Sequence, residues 1–519
     1  MQLAQTLRRA ALLGPERTAL VDGAVRYSWR EFADRVARLA GGLRALGVGD
    51  GARVAMLASN SHRYVEFFFA TFWAGGIAVP INTRWAAPEI RHALDDSGAR
   101  VLVVDPGHLE AGRAQQAAGA DLDALVLAAD ADVRAEGLAH WEDLVRGAAA
   151  EDALRGYDDV ACLFYTGGTT GRSKGVMLTH ANLVTNSMTA MLNMGIRGDT
   201  VHLHTSPMFH VAGGARLFSV TLAGGTHVVL PRFEVDAFLD VVERERVTIT
   251  IIVPTMLARL VRHPDLAARD LSSLELLCYG ASPMPEAVLR EALERLPGIR
   301  LLQSYGMTEL SPVATVLGPD HHVFDGPGAG RTASAGQPVY NAEVMIAGED
   351  GAALAPGEIG EVCVRGPMVM KGYWNLPELT AETLRGGWMH TGDAGYLDEE
   401  GFLFVVDRIK DMIVSGGENV YSAEVEDVIY LHPEVAECAV IGVPDEHWGE
   451  AVHAIVVPKG GAGLTAEAIR EHCRTRIAAY KCPRSVELRA TELPKSGPGK
   501  ILKTDLRRPF WDGRGRAVN

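Results

Sequence analysis

Segments with helical and strand character alternate along the first half of the chain, and this alternation restricts the fold more than any other feature. Apolar residues recur at helical spacing from Tyr27 to Leu46 and from His62 to Trp73, and Arg53–Leu57 between them is typical of a buried strand. Such sequences usually fold into layers of helices on sheets, so we predict an α/β fold. Further strand-like runs occur at Val101–Val104, Val160–Tyr165, His227–Leu230, Thr248–Pro254 and Glu275–Tyr279.

The chain has 519 residues, more than one hydrophobic core usually supports, so at least two domains are expected. From Glu358 to Asp407 the sequence favours short strands and glycine turns, and a segment of domain size follows. The charged run 407–411 between these two segments is interpreted as a hinge, with a surface turn as the alternative. The expected organisation is a large, multi-layered N-terminal domain of sheets and helices (1–406), the hinge (407–411) and a small, mobile α+β C-terminal domain (412–519).

Composition restricts the possible partners. Fifty Lys and Arg against 65 Asp and Glu give a formal net charge of −15, which argues against nucleic-acid binding because that requires a concentrated basic face. The six cysteines are scattered without metal-ligand spacing, which indicates free thiols in a reducing compartment. The sequence shows neither a cleavable signal nor the ~18 consecutive apolar residues of a spanning helix. We therefore expect a cytoplasmic protein without an integral membrane segment, and peripheral membrane contact stays open.

A loop rich in glycine and hydroxyl groups follows the run Val160–Tyr165 and precedes a helix expected to begin near Thr179. Glycines let a backbone approach phosphate groups closely, while hydroxyls and a lysine supply donors and charge. It is not a Walker loop, because Lys174 stands between Ser173 and Gly175. We interpret it as a phosphate-binding loop, with a merely flexible polar loop as the alternative. The candidate ligands are Thr166, Gly167, Gly168, Thr169, Thr170, Gly171 and Lys174.

This loop resembles the phosphate-binding signature of the adenylate-forming superfamily, which includes acyl-CoA synthetases, adenylation domains and firefly luciferase. Two further segments resemble motifs of that superfamily in the same order. Residues 279–283 resemble the strand end that contacts adenine, which implies nucleotide contacts by Gly280, Ala281 and Ser282. Residues 303–309 resemble the segment that stacks adenine and binds magnesium, and the residues implied are Ser304, Tyr305, Gly306, Met307, Thr308 and Glu309.

The residue types in the second segment suit those roles. An aromatic ring beside a glycine matches a flat purine, and a carboxylate beside a hydroxyl matches Mg²⁺, which prefers hard oxygen ligands. Tyr305 is therefore expected at the adenine, and Glu309 with Thr166 at the metal. Thr308 and Glu309, together with His210 of the acyl pocket, are also expected to be catalytic.

Later motifs imply a ribose site, a pivot and a catalytic lysine. Asp393 and Arg408 match the family's ribose-binding positions, and Lys410 matches the pivot about which the C-terminal domain turns. The resemblance makes Lys500 the catalytic lysine, because an ammonium group on a glycine-rich loop can neutralise charge that develops at the α-phosphate. Lys495 and Lys503 are the neighbouring alternatives.

A second group of residues resembles the family's coenzyme A channel. Gly416, Gly417 and Glu418 match the strip that lines the channel, and glycines there permit close approach. Trp448, Tyr480 and Lys481 lie where relatives touch coenzyme A. Arg476 and Arg484 are candidate partners for its phosphates.

The acyl pocket is expected around His210, which resembles the histidine between acid and adenylate. Small residues follow it, and an open tunnel at Gly214 is the hypothesis, with close helix packing as the alternative. Pro254, Thr255 and Met256 are expected to help line an apolar cavity with little to bind a charged tail. The His321-His322 pair has the character of an exposed loop and is not interpreted as a metal site. The substrate contacts expected are His210, Val211, Gly213, Gly214, Gly280, Met307 and Val313.

Together the motifs imply an AMP-forming acyl-CoA synthetase that uses ATP, Mg²⁺ and coenzyme A on a small carboxylic acid, with a medium- to long-chain fatty acid as the first expectation. An aryl or short-chain acid is the alternative substrate. An acyl-AMP ligase that loads a carrier protein, a luciferase-like oxygenase and a catalytically silent nucleotide-binding scaffold are the alternative functions. Both a monomer and a homodimer fit the resemblance.

Overall fold

The computed structural model describes residues 1–166, 172–282, 284–326, 328–416, 418–460, 463–495 and 501–512. Its helices are α1 (Leu3–Leu13), α2 (Trp29–Ala45), α3 (His62–Ala74), α4 (Ala87–Ser97), α5 (Leu109–Ala117), α6 (Trp141–Val145), α7 (His180–Met194), α8 (Val211–Ala223), α9 (Val235–Glu245), α10 (Pro254–Val261), α11 (Glu286–Arg295), α12 (Pro377–Thr383), α13 (Ser422–Tyr430), α14 (Ala466–Arg474) and α15 (Lys503–Trp511). Its strands are β1 (Thr18–Asp22), β2 (Val25–Ser28), β3 (Arg53–Leu57), β4 (Ile77–Pro80), β5 (Val101–Val104), β6 (Ala124–Leu127), β7 (Ala139–His140), β8 (Val160–Thr166), β9 (Lys174–Thr179), β10 (Val201–His204), β11 (Thr226–Val229), β12 (Ile249–Ile252), β13 (Leu276–Gly280), β14 (Arg300–Gly306), β15 (Val313–Leu317), β16 (Gln337–Pro338), β17 (Glu343–Ala347), β18 (Gly360–Arg365), β19 (Gly372–Tyr373), β20 (Met389–Leu397), β21 (Leu403–Arg408), β22 (Ile413–Ser415), β23 (Glu418–Val420), β24 (Val435–Asp445), β25 (Gly449–Pro458) and β26 (Ser485–Leu488).

Two large sheets with parallel centres form the N-terminal part. One has the strand order β19-β9-β8-β4-β3-β5-β6-β7 and the other β16-β15-β14-β13-β12-β10-β11-β1-β2. Helices α2, α3 and α8 lie between the sheets in one apolar core, while α4 and α5 cover the outer face of the first sheet and α9 to α11 that of the second. The expected multi-layered α/β architecture is confirmed.

Helix α3 shows why this inner layer forms. Every residue from Tyr64 to Phe72 is buried, as expected for a helix that is apolar on all sides. Glu66 is the charged residue within this buried stretch. Its carboxylate accepts hydrogen bonds from Arg35 Nε at 2.5 Å and from the indole N–H of Trp141 at 2.7 Å. A buried charge is tolerated when it is paired in this way.

One boundary differs from the sequence-based expectation and another agrees with it. Helix α2 begins at Trp29, because Tyr27 belongs to β2 and Ser28 forms a capping box with Glu31. Strands β8 and β9 pair on either side of the glycine-rich loop, and α7 begins at His180 with Thr179 as its cap, as expected.

Two smaller sheets complete the chain. Strands β17, β18, β20 and β21 form an antiparallel sheet, and β23-β22-β25-β24 form the last sheet, with β26 parallel to β25. Helices α13 and α14 pack on one face of this last sheet and α15 on the other, which confirms the smaller α+β C-terminal part. Among the described residues, no helix combines the length and apolarity needed to cross a membrane.

Candidate active site

The ends of the predicted phosphate loop are fixed by the β8–β9 hairpin, in which Thr166 pairs with Lys174. The Lys174 ammonium lies 4.6 Å from the ring centre of Tyr373, a cation–π contact. Gly167, Gly168, Thr169, Thr170 and Gly171 lie outside the described residues. The hairpin therefore places one hydroxyl and one cation at the two ends of the loop.

Glu309 lies close to this hairpin through Tyr373. It follows the buried Thr308 in a single 3₁₀ turn, and its Oε1 accepts a hydrogen bond of 2.8 Å from the Tyr373 hydroxyl. Its backbone carbonyl accepts from the amide of Met370 at 2.8 Å. Within the described parts of the chain, Oε2 accepts no hydrogen bond, which leaves a carboxylate oxygen of the kind that Mg²⁺ prefers.

Asp393 and Arg408 face each other across neighbouring strands, where they are register partners. Asp393 Oδ1 pairs with Arg408 Nε at 2.8 Å, and Oδ2 accepts a hydrogen bond of 2.7 Å from the Tyr305 hydroxyl. Burial acts to lower the pKa of Arg408, but the surrounding acidic groups, Asp393 first among them, together outweigh it and the pKa is raised. The expected ribose and adenine residues are thus joined in one buried network.

Glu361 supports this network, and sequence reasoning missed it. Its Oε2 lies 2.7 Å from His390 Nδ1, and its Oε1 accepts from the amide of Gly392 at 3.1 Å. Both groups lie on β20, just before Asp393. A carboxylate on the neighbouring strand β18 thereby fixes the backbone that carries the ribose ligand.

The two predicted adenine segments lie side by side, because Gly280 and Ser304 are register partners on parallel strands. Ala281 follows in the left-handed region, with φ of 68°, a conformation that costs a non-glycine residue free energy. Ser282 is partly exposed, and Met307 packs with Tyr305 against the third sheet. Gly306 lies against Pro312, whose carbonyl oxygen would be 1.9 Å from an added Cβ.

A cavity of about 40 Å³ opens beside these segments. Gly280 and Val313 line it as expected, whereas Met307 does not. Residues just before Pro254, and not Pro254, Thr255 or Met256, form one wall. The lining comprises Met194, Ser206, Ala212, Arg216, Ile251, Ile252, Val253, Gly280, Ala281, Ser304, Pro312 and Val313.

The start of α8 is closely packed. An added Cβ on Gly213 would lie 2.4 Å from the carbonyl oxygen of Pro207, and one on Gly214 would lie 2.8 Å from that of Met208. Val211 is buried in the core between the sheets. These three residues do not line the cavity, and the small side chains permit close packing, which was the alternative to an open tunnel.

His210 caps α8 by accepting a hydrogen bond of 3.3 Å from the amide of Ala212 at Nδ1. Burial lowers the pKa of His210 to about 4, so the ring is neutral at pH 7. Ala212 itself lines the cavity, so the neutral imidazole is hydrogen-bonded to a residue of the pocket wall.

Arg216 is the principal lining residue that the sequence did not lead us to expect. It lies one helical turn after Ala212 and only 2% of it is exposed, so the cavity is not uniformly apolar. The available signal was a single cation in the otherwise uncharged helix α8.

The expected hinge residues are tied to the C-terminal helices. Asp407 Oδ2 accepts a hydrogen bond of 2.6 Å from the Ser422 hydroxyl at the start of α13. Arg507 in α15 donates to the backbone carbonyl of Lys410 at 3.2 Å and lies 3.6 Å from Asp411 Oδ1. Burial, with the charges of Arg408 and Lys174, lowers the pKa of Lys410.

The residues expected at coenzyme A fall into two groups. Gly416, with φ of 64°, lies against the Trp448 ring, which would be 2.5 Å from an added Cβ. The Arg484 guanidinium covers that indole at 4.3 Å. Lys481 instead pairs with Glu424 at 2.7 Å and lies 5.7 Å from the Tyr480 ring centre. Glu418 is exposed on β23, and Gly417 lies outside the described residues.

Lys500 also lies outside the described residues, but the chain on either side of it is described. Lys495 and Ile501 form an antiparallel bridge. Lys495 is occupied by ion pairs with Glu437 and Glu492, and Lys503 by one with Glu426 at 2.7 Å. Both alternative lysines therefore have local partners.

His322 corrects the expectation of an exposed histidine pair. It is buried, with Nε2 at 2.9 Å from the Tyr279 hydroxyl and Nδ1 at 3.0 Å from the carbonyl of Gly318. The ring therefore fastens the loop after β15 to the core strand β13.

Comparisons with known proteins show the family to which the chain belongs. A family model described as AMP-binding enzyme matches residues 7–374, and one described as AMP-binding enzyme C-terminal domain matches residues 424–500. A feruloyl-CoA synthase of Amycolatopsis is 43% identical over 97% of this chain and 98% of its own. A long-chain-fatty-acid–CoA ligase of Mycobacterium tuberculosis is 37% identical over 97% of each chain. The structure of ATP-bound MatB from Rhodopseudomonas palustris superimposes with a TM-score of 0.88 at 32% identity, over 99% of each chain.

Proposed function

Since the chain belongs to the AMP-binding enzymes, it is an AMP-forming acid–thiol ligase, and we propose that its substrate is a compact, ring-sized carboxylic acid. The observation that carries this acid class is the closed packing at the start of α8, where backbone atoms fill the space beside Gly213 and Gly214. The relative of higher identity is a feruloyl-CoA synthase. A medium- to long-chain fatty acid, the first expectation, has weaker support because Met208 and Phe164 fill the space beside Gly214, where a tunnel was expected.

The nucleotide is held by the network already described. The Asp393 carboxylate accepts hydrogen bonds from the ribose hydroxyls, and its pairs with Arg408 and Tyr305 leave further lone pairs for them. Thr166 and Lys174 supply donors to the phosphates from the two ends of the loop. The adenine lies against the adjoining segments that begin at Gly280 and Ser304.

The residues near Glu309 fit a magnesium ion. A buried carboxylate with one oxygen free of described hydrogen bonds, beside the Thr166 hairpin, offers the hard oxygen ligands that the ion requires. When bound, Mg²⁺ neutralises phosphate charge and aids departure of pyrophosphate. Tyr373 orients the Glu309 carboxylate from the opposite side.

The reaction proceeds in two steps at one site. A carboxylate oxygen of the acid attacks the α-phosphorus of ATP, and pyrophosphate leaves with the electrons of the broken P–O bond. The coenzyme A thiolate then attacks the acyl carbon, and AMP leaves. Lys500 stabilises charge in the first step, and neutral His210 lies beside the acid.

Residues 407–411 act as a hinge between domains at 1–406 and 412–519. The contacts of Asp407 with Ser422 and of Arg507 with Lys410 and Asp411 attach this segment to the C-terminal helices. Rotation about Lys410 withdraws Lys500 and brings the strip at Gly416 to the adenylate. Coenzyme A then passes Trp448, and the Arg484 guanidinium, stacked on that indole, pairs with its phosphates.

Mass spectrometry of the products tests this function. The protein is incubated with Mg-ATP, coenzyme A and short, medium, long and aromatic acids, with a reaction lacking ATP as control. Acyl-CoA and AMP formed from aromatic acids in preference to long-chain acids support the proposal. Preference for long-chain acids refutes the acid class, and acyl-AMP that accumulates without thioester indicates a carrier-protein-loading enzyme.

A further inference from the structure

Arg216 is a buried cation on the wall of the acyl cavity. Its Nη1 donates a long hydrogen bond of 3.6 Å to Met194 Sδ, and Met194 is also a lining residue. Across the residues that the structure describes, no carboxylate lies within ion-pair distance of its guanidinium. Burial lowers the pKa of Arg216 only to about 10, so the group is charged at pH 7. An unpaired buried charge is costly, and in proteins such charges are normally paired.

The surrounding groups cannot compensate this charge, because they are neutral. Burial lowers the pKa of His204 to about 3 and raises that of the Cys278 thiol to about 12. His202 is fully buried with both ring nitrogens unbonded to described residues, and its pKa is also lowered by burial. The charge of Arg216 on the cavity wall thus has no counter-charge among these neighbouring groups.

Strand β13 gives the direction of the cavity. Gly280, at the carboxyl end of the strand, adjoins Ser304 in the segment expected to hold the adenylate. Cys278, whose thiol feels the charge of Arg216, lies two residues deeper, about 7 Å along the strand. An acid whose carboxyl group is at the adenylate therefore directs its opposite end toward Arg216.

We propose that Arg216 determines which acid is activated, an inference that rests on the proposed function. Its guanidinium donates hydrogen bonds to an oxygen atom at the end of the acid opposite the reacting carboxyl group. A phenolic oxygen and a second carboxylate both supply this chemistry. An acid with a methyl group at that end would leave the guanidinium buried and unpaired, so the site discriminates against it.

Matched acids and an isosteric variant test the inference. Benzoic and cinnamic acids with a 4-hydroxyl, 4-carboxylate or 4-methyl group are compared in wild type and Arg216→Met, which keeps a long apolar stem without the charge. For wild type we expect kcat/KM at least ~10-fold higher for a hydroxyl or carboxylate acid than for the methyl acid. Arg216→Met should abolish or reverse this preference, and Arg216→Lys should keep part of it for the carboxylate.

The outcomes separate the two proposals. A selective loss for the hydroxyl acids identifies a phenolic substrate, and one for the carboxylates a dicarboxylate. Equal losses for all acids, or no preference in wild type, overturn the role of Arg216 while the ligase activity stands. If wild type forms no acyl-CoA from any acid, the proposed function fails.

In that case the role of Arg216 is tested by melting temperatures of wild type and Arg216→Met, each measured with and without the acids. If a hydroxyl or carboxylate acid raises the melting temperature of wild type but not of Arg216→Met, the role of Arg216 is upheld; if it raises both equally or neither, that role is refuted.

Discussion

Replacing Gly213 with alanine tests the packing on which the substrate class depends. The new Cβ would lie 2.4 Å from the carbonyl oxygen of Pro207 and 2.8 Å from that of Ser206, so the backbone would have to move. Overpacking costs about 1–3 kcal/mol, while exchange of glycine for alanine inside a helix returns about 1 kcal/mol. Because backbone atoms obstruct the methyl group, the overpacking cost should lie in the upper part of its range, about 2–3 kcal/mol, and the expected net destabilisation is about 1–2 kcal/mol.

Urea unfolding followed by tryptophan fluorescence measures this change, with the first transition compared because the chain has more than one domain. Gly49→Ala is the matched control, since an added Cβ there meets nothing within 4 Å. The control should change the free energy of unfolding by less than about 0.5 kcal/mol. Kinetics with hexanoic and hexadecanoic acids are measured on the same preparations.

One result would refute the reasoning. If Gly213→Ala stabilises the protein by about 1 kcal/mol, as helix propensity alone predicts, the space beside Gly213 is open. If the variant also loses activity toward hexadecanoic acid but keeps it toward hexanoic acid, a tunnel passes beside Gly213. A medium- to long-chain fatty acid would then again be the expected substrate.

The remaining predictions concern the nucleotide, coenzyme A and pH. Lys500→Ala should abolish pyrophosphate release and spare thioester formation from supplied acyl-AMP; equal loss of both steps would contradict the division of labour. Asp393→Asn should raise KM for ATP about 10- to 100-fold, since it replaces the charged acceptor of the ribose hydroxyls by a neutral amide, and an unchanged KM would remove Asp393 from the ribose site. Trp448→Ala should raise KM for coenzyme A and leave pyrophosphate release unchanged. Because the pKa values of His204 and His210 are lowered to about 3 and about 4, their contribution to stability is complete above about pH 6.5 and is lost as pH falls toward 4; flat urea midpoints across that range would refute their burial as neutral rings.

The sequence located the polar residues of the nucleotide network but not the contacts among them. Asp393 and Arg408 could be named from their motifs, and both lie on neighbouring strands. The bond from Tyr305 to Asp393 joins residues 88 positions apart. Neither hydrophobic periodicity nor secondary-structure propensity predicts such a contact, because it depends on how two sheets pack against each other. Glu361 was missed because its contacts depend on which strands pair within one sheet, here β18 with β20.

The acyl pocket was less predictable, because small residues in a sequence are compatible with two opposite structures. Gly213 and Gly214 can leave a space open or allow two backbones to meet, and only their distances to Pro207 and Met208 decide between these. Arg216 could have been suspected, since it is a lone cation in the apolar helix α8. Whether such a cation is paired is a property of the tertiary structure.

The two kinds of residue differ in where they stand. The expected nucleotide ligands lie on strands or on the turns beside them, as Asp393 does on β20 and Lys174 on β9. Their positions are fixed by backbone pairing in the sheets. The residue proposed to select the acid stands on helix α8, whose side chain at position 216 can change without disturbing any of those pairs. Substitution of Arg216 should therefore alter which acid is activated, while KM for ATP stays within a few-fold of wild type. A parallel rise in KM for ATP would show that acid selection and nucleotide binding depend on the same part of the structure.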